Sequence, residues 1–182
     1  MSKNIDTEER QRIKRILSGR SDEYAYFVKT YSRQVLDFIS RMVSDVSDAE
    51  ELAQDAFVRA FRSLSQFEGR SSWLTWMLRI AFNTTLSHLD RQRPQWLSIE
   101  SLPLADAADD ELNTGREERI QLLETVIDML PPNEQMLIHL YYYDDRPLRD
   151  IAYIMDTEPG TLATRLHRIR KKLLQMMKEN ER

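Results

Sequence analysis

Between positions 22 and 67 the apolar residues recur at helical spacing. Phe27, Tyr31, Val35, Phe38, Ile39 and Met42 form one run, and Leu52, Ala56, Phe57, Ala60, Phe61 and Leu64 form the next. Intervals of three and four bring such side chains onto one face of an α-helix. The spacing predicts helices over 22–46 and 47–67, capped by Ser21 or Asp22 and by Ser47 or Asp48. A short loop, "QFEGRSS", leads to a third helix from Ser71 or Ser72 to about Arg91. With a shorter helix over 8–17 these form a helical bundle. Only 4 glycines in 182 residues, with 31% charged residues, suit helices far better than sheets. The expected fold is all-α.

Pro94 ends this pattern. The following "PQWLSIESLPLADAADDELNTG" has no sustained period, collects acid, and contains Pro103 and Gly115. It reads as a flexible linker. Beyond it the spacing predicts helices over 117–130 and 134–143, with "LPPNE" breaking one and capping the next. "DDRP" is a further turn, and Pro147 suits the first position of a helix ending near Met155. A last helix runs from about Gly160 nearly to the C-terminus. The organisation is therefore two small helical domains, 1–93 and 117–182, joined by an acidic linker over 94–116.

The chain has no cysteine, which removes disulfides, thiolate metal sites and cysteine nucleophiles and fits a reducing interior. The N-terminal segment lacks the apolar run of a signal peptide, and nowhere do eighteen apolar residues run together. A soluble, intracellular protein without membrane insertion is expected. The net charge of -4 hides opposed blocks. Residues 94–118 hold one Lys or Arg against seven Asp or Glu, whereas 160–182 hold seven against two. Such asymmetry points to a polyanion-binding end and an acidic segment.

The basic end can be resolved by angle. At 100° per residue, Leu162, Leu166, Ile169 and Leu173 share one narrow stripe that must face the rest of its domain. Opposite fall Thr164, His167, Arg168 and Lys171, with Thr161 near that face and Arg165 and Arg170 at its flanks. Arg and Lys neutralise phosphate and read guanine edges, while Thr and His supply hydrogen bonds and methyl contacts. A helix of this kind after a tight turn has the geometry by which a helix-turn-helix enters a major groove.

The first domain has its own unusual segment. Phe67, Trp73, Trp76 and Phe82 gather there with Arg62, Arg70, Arg79, Arg91 and Arg93. Aromatic faces beside cations suit unstacked bases of a single strand. Trp76 and Ile80 are read as bundle packing. The loop over 66–72, with one Gly and two serines, offers backbone and hydroxyl donors where a flipped base could sit.

Both halves together resemble one family, the sigma factors of bacterial RNA polymerase, in their small extracytoplasmic-function (ECF) group. "DAEELAQDAFVRAFRSLSQFEGRSSWLTWMLRIAFNTTLSHLDRQR" looks like region 2, and "LPPNEQMLIHLYYYDDRPLRDIAYIMDTEPGTLATRLHRIRKKL" looks like region 4. The resemblance covers about four fifths of the chain and includes motif order, spacing and linker. It implies that Glu51, Gln54, Asp55 and Phe57 dock on the polymerase clamp helices, with Glu51 standing where Asp is more usual. It implies that Phe67, Gly69, Arg70, Ser71, Ser72 and Trp73, with Arg79 and Asn83, capture bases of the minus-ten element. In the loop the two charges are exchanged relative to the usual order. Region 4 would read the minus-thirty-five duplex through Thr161, Ala163, Thr164, His167 and Arg168, with Arg165, Arg170 and Lys171 on phosphates. The implied partners are core RNA polymerase, at its clamp helices and flap, promoter DNA as duplex and single strand, and an anti-sigma factor. The implied location is the bacterial cytoplasm, on the nucleoid when bound to polymerase.

The expected function is thus that of an alternative-sigma initiation factor with no catalysis, cofactor or metal of its own. The rival is a stand-alone helix-turn-helix regulator with an N-terminal helical sensor or dimerisation domain. It accounts for the terminal helix but not for the aromatic, Arg-rich loop. An enzyme is the weakest reading, because His88, His139 and His167 are scattered and no Gly-rich phosphate loop is present.

Overall fold

The computed structural model describes residues 7–92 and 115–180, and every regular element among them is a helix. The first unit contains α1 (Thr7–Leu17), a 3-10 turn (Ser21–Tyr24), α2 (Ala25–Ile39), α3 (Val46–Arg62), a second 3-10 turn (Leu64–Gln66) and α4 (Trp73–Gln92). The second contains α5 (Arg116–Asp128), α6 (Pro132–Ile138) running into a π-helical turn (His139–Tyr143), α7 (Leu148–Ile154) and α8 (Pro159–Asn180). The expected acidic linker lies almost wholly outside the described residues. Its last two positions are Gly115, whose amide donates to Glu118 Oε2 at 3.2 Å, and Arg116, where α5 begins.

Several boundaries differ from the sequence expectation, among them Pro147, which caps α7 (Leu148–Ile154) instead of opening it, and two in the first unit differ for clear local reasons. The expected helix over 22–46 is shorter, because the chain turns after Ile39 and folds Met42 and Val43 back into the core. The helix after it is capped by Asp45, slightly upstream of Ser47 and Asp48. Asp45 is extended at φ -78 and ψ 124, and its carboxylate accepts from the Asp48 amide at 2.9 Å. The start of α4 agrees with expectation, since Ser72 Oγ accepts from the Thr75 amide at 3.1 Å.

Trp73 sits at the centre of the first unit with no exposed surface. Its indole stacks on Phe27 at 4.5 Å, Tyr31 at 5.1 Å and Phe57 at 6.2 Å between ring centroids. Tyr24 closes the cluster, its hydroxyl donating to the Phe57 carbonyl at 2.8 Å, and burial pushes its phenol well above the ordinary range. Tyr31 reaches the other way and donates to the buried Glu9. On the surface of the unit, Arg15 and Arg12 both bond Glu23, at 2.7 and 2.6 Å, and hold its carboxyl below its usual range. These contacts tie α1 to the 3-10 turn that leads into α2.

The second unit forms around α8. Leu162, Leu166, Ile169 and Leu173 are all buried, as the angular stripe predicts, and Met177 extends the row. They pack in one core with Val126, Met136, Leu140, Ile151 and Ile154 from the other helices of the unit. Each such aliphatic side chain contributes about 1.5–3 kcal/mol when fully buried. The turn between α7 and α8 places Asp156 at φ 53, a left-handed conformation that Asp tolerates better than most residues.

The units meet through α4 and α7. Arg41 Nη1 donates to both carboxylate oxygens of Asp144, at 3.0 and 2.9 Å. Arg79 Nη2 donates to Asp156 Oδ1 at 2.6 Å, and its guanidinium lies 4.9 Å from the centre of the Tyr153 ring. His139 lies near this junction. Burial first, and then the charge of Arg41, push its pKa down against the opposing pull of Asp144 and Asp128. The folded chain therefore binds this proton less readily than the unfolded one. The resulting stabilisation is present above about pH 6.5 and is lost as pH falls below that value. Urea midpoints should drop between about pH 7.5 and 5, and His139→Gln should flatten that drop. An unchanged pH slope in the variant would mean that another group carries the drop.

Candidate nucleic-acid interface

The face of α8 opposite the buried stripe is open. Thr161, Ala163, Thr164, Arg165, His167, Arg168 and Arg170 are exposed, and Lys171 is half-buried. Thr164 Oγ1 donates to the Gly160 carbonyl at 3.2 Å, which ties down the hydroxyl. Among the described residues neither Arg165 nor Arg168 forms an ion pair, so both guanidinium groups are open to a polyanion. Lys172 behaves differently, bonding Glu134 on α6 at 3.1 Å. Arg170 is held by a neutral group, its Nε donating to Tyr142 Oη at 2.5 Å. The helix thus presents small hydrogen-bonding side chains between cations, a surface matched in chemistry to a groove floor and its phosphate edges.

In the first unit the loop before α4 is held at both ends. Phe67 is half-buried with its ring 5.1 Å from Trp76, and Gly69 adopts φ 71, where a side chain would be strained. Arg70 pairs with Glu68 at 2.6 Å, but both side chains are largely exposed, so the pair adds little stability and opens readily. Ser71 Oγ donates to the Ser72 carbonyl at 3.1 Å, while Ser72 caps α4. Asn83 is exposed one turn beyond Arg79.

Two sequence-based site assignments need correction. Trp73, expected at the base-capturing surface, has no exposure and stacks inside the bundle. Phe57, expected at the polymerase-docking surface, is 6% exposed and packs on Trp73. The helical period already puts Phe57 on the buried stripe of α3. Arg79 is on the surface but engaged by Asp156 and Tyr153, a partnership across 77 residues with no signal in the sequence.

The remaining docking candidates cluster. Glu51, Gln54 and Asp55 are exposed on α3, and Glu51 and Asp55 line a groove of about 260 Å³ between α3 and α4 with Asp48, Thr84, His88 and Arg91. His88 Nε2 lies 3.6 Å from Asp48 Oδ2. Asp48 and His88 carry no site signal in the sequence, because only the packing of α4 on α3 brings them to the same groove.

Two helical units, the second ending in a helix-turn-helix with an open basic face, define a helical DNA-binding protein. Residues 27–95 match Sigma-70 region 2, and residues 120–173 match Sigma-70 region 4. The ECF RNA polymerase sigma-E factor of Escherichia coli K12 is 30% identical over 170 residues, covering 87% of this chain and 88% of its own. The ECF sigma factor SigW of Bacillus subtilis is 29% identical over 181 residues, 93% of this chain and 97% of its own. The chain belongs to the ECF group of the sigma-70 family of RNA polymerase sigma factors, which are transcription initiation factors. The fold is also that of two solved complexes. CnrH bound to the cytosolic domain of CnrY has a TM-score of 0.62 at 18% identity, covering 93% of this chain and 97% of that one. RpoE bound to the anti-sigma factor NepR from Bartonella quintana has a TM-score of 0.59 at 22% identity, covering 86% and 97%. Among the described residues no helix is long and apolar enough to cross a membrane. The match to region 2 sets aside the stand-alone regulator, which has no use for such a unit.

Proposed function

We propose that residues 1–93 bind core polymerase and capture single-stranded promoter bases, while residues 117–182 hold the upstream duplex and 94–116 connect them. The observation that carries this reading is the open face of α8, where Thr161, Thr164, His167 and Arg168 stand exposed without a carboxylate partner among the described residues. Arg168 lies on the groove side of that face, with Ala163 beside it, and Arg165, Arg170 and Lys171 serve phosphates. In the first unit, Phe67, Gly69, Arg70, Ser71, Ser72 and Asn83 form the base-capturing surface, and Arg79 joins it when its pairing with Asp156 opens. Glu51, Gln54 and Asp55 dock on the polymerase clamp helices, where exposed carboxylates suit a basic partner.

The protein itself performs no covalent step; polymerase supplies the chemistry, and this chain offsets the cost of unpairing bases. It acts in the cytoplasm. An anti-sigma factor is a further partner, supported by the solved complex of RpoE with NepR.

The decisive measurement is transcription in vitro with core polymerase and a genomic promoter library. Specific transcripts should require both this chain and the polymerase, and tight sequence-specific duplex binding by the chain alone would overturn the reading. Gln54→Ala combined with Asp55→Ala should reduce core binding in a pull-down while the thermal melt stays unchanged, because both side chains are exposed. Full retention of affinity would remove the docking surface from α3.

A further inference from the structure

We propose that Tyr142 is an additional DNA-backbone residue, its hydroxyl and the Arg170 guanidinium forming one clamp for a single phosphate of the upstream duplex. The inference rests on reading α8 as the groove-entering helix and deepens it.

Tyr142 lies on the π-helical turn after α6 and is 50% exposed, so core packing does not account for it. Its ring is braced edge-on by Tyr141, with centroids 4.9 Å apart at 84°. From that position Tyr142 Oη accepts from Arg170 Nε at 2.5 Å, and the Arg170 guanidinium carbon lies 5.6 Å from the ring centre. This contact uses one edge of the guanidinium and leaves the other. Among the described residues no group bonds Arg170 Nη1 or Nη2, and the Tyr142 hydroxyl, having accepted, still carries its own proton. The pair therefore offers several N–H donors and one O–H donor within one hydrogen bond of each other, with one positive charge and no carboxylate. That donor set matches a phosphodiester oxygen pair.

Placement along the helix agrees. Arg170 lies about 13 Å along the α8 axis from Thr161, close to the roughly 12 Å width of a major groove. A helix entering by its first turns sets residues 161–168 at the bases and brings Arg170 to the phosphates at the rim. Tyr142 lies within the π turn, whose wider hydrogen bond runs from the Asp144 amide to the His139 carbonyl at 3.0 Å.

The test uses holoenzyme on a promoter duplex that it transcribes, with one methylphosphonate placed at successive upstream phosphates. Wild type should lose about 10- to 150-fold in affinity at one position, the range of a charge-assisted hydrogen bond. On unmodified duplex Tyr142→Phe and Arg170→Ala should each weaken binding; at that position Arg170→Ala should lose nothing further, and Tyr142→Phe should lose less than wild type. The salt slope should fall by about one for Arg170→Ala and stay unchanged for Tyr142→Phe. Arg170→Lys, which keeps the charge but cannot bond Tyr142 Oη through Nε, should retain the slope and show a smaller position-specific loss than wild type. If Tyr142→Phe binds like wild type while Arg170→Ala is weakened, the clamp is overturned and the reading of α8 stands. If Arg170→Ala is without effect, the clamp falls with it, and Arg168→Ala measured in parallel shows whether the groove reading falls too.

Discussion

Trp73→Ala should cost about 3–5 kcal/mol of stability, a large share of the roughly 5–15 kcal/mol by which a chain of ordinary marginal stability is held folded. The indole touches aromatic rings from α2 and α3 and is wholly buried, so truncation leaves a cavity that the stacked rings of Phe27, Tyr31 and Phe57 cannot close together. Trp73→Phe should cost much less. The Trp73 Nε1 proton has no partner among the described residues, so removing the indole N–H strands no acceptor. Urea unfolding followed by circular dichroism measures both. The opposite pattern, near-normal stability for the alanine variant with failure to open promoters, would return Trp73 to the base-capturing surface.

Arg168→Ala should act at the other end of the molecule and in the other way. The side chain is exposed and bears on no core packing, so the melting temperature should stay within about a degree of wild type. Binding is where the loss appears. A guanidinium reading a base edge carries about 1–3 kcal/mol of discrimination, roughly 5- to 150-fold in preference for the correct upstream element. Transcription from promoters with different upstream elements should consequently become more uniform as well as weaker. A uniform loss across all sequences would make Arg168 a phosphate contact, and unchanged activity at every promoter would remove it from the interface.

The two expectations contrast because Trp73 and Arg168 differ in what the sequence could say of them. The period of α8 assigned Arg168 to the face opposite Leu162, Leu166, Ile169 and Leu173, and those four are buried. One helix of 22 residues with a narrow apolar stripe leaves no second way to pack. Trp73 stands at the first residue of α4, where a turn precedes it and periodicity has little to work on. Whether it faced bases or core depended on α2 and α3 arriving around it. Phe57 is the opposite lesson, because its stripe was legible and only the family pattern pointed to the docking surface.

What the sequence by itself determined was the helical class, the two-unit order and the polarity of the last helix, since all three follow from spacing and charge within a few turns. Only the tertiary structure decided that Arg41 meets Asp144, that Arg79 is taken up by Asp156 and Tyr153, and that Tyr142 lies beside Arg170. Local patterns report which face of a helix is apolar, because burial of apolar surface is the main force driving folding and its signature repeats with the helix. Pairings between exposed polar groups 28 to 103 residues apart leave no such period, because each contributes little and depends on where whole helices dock.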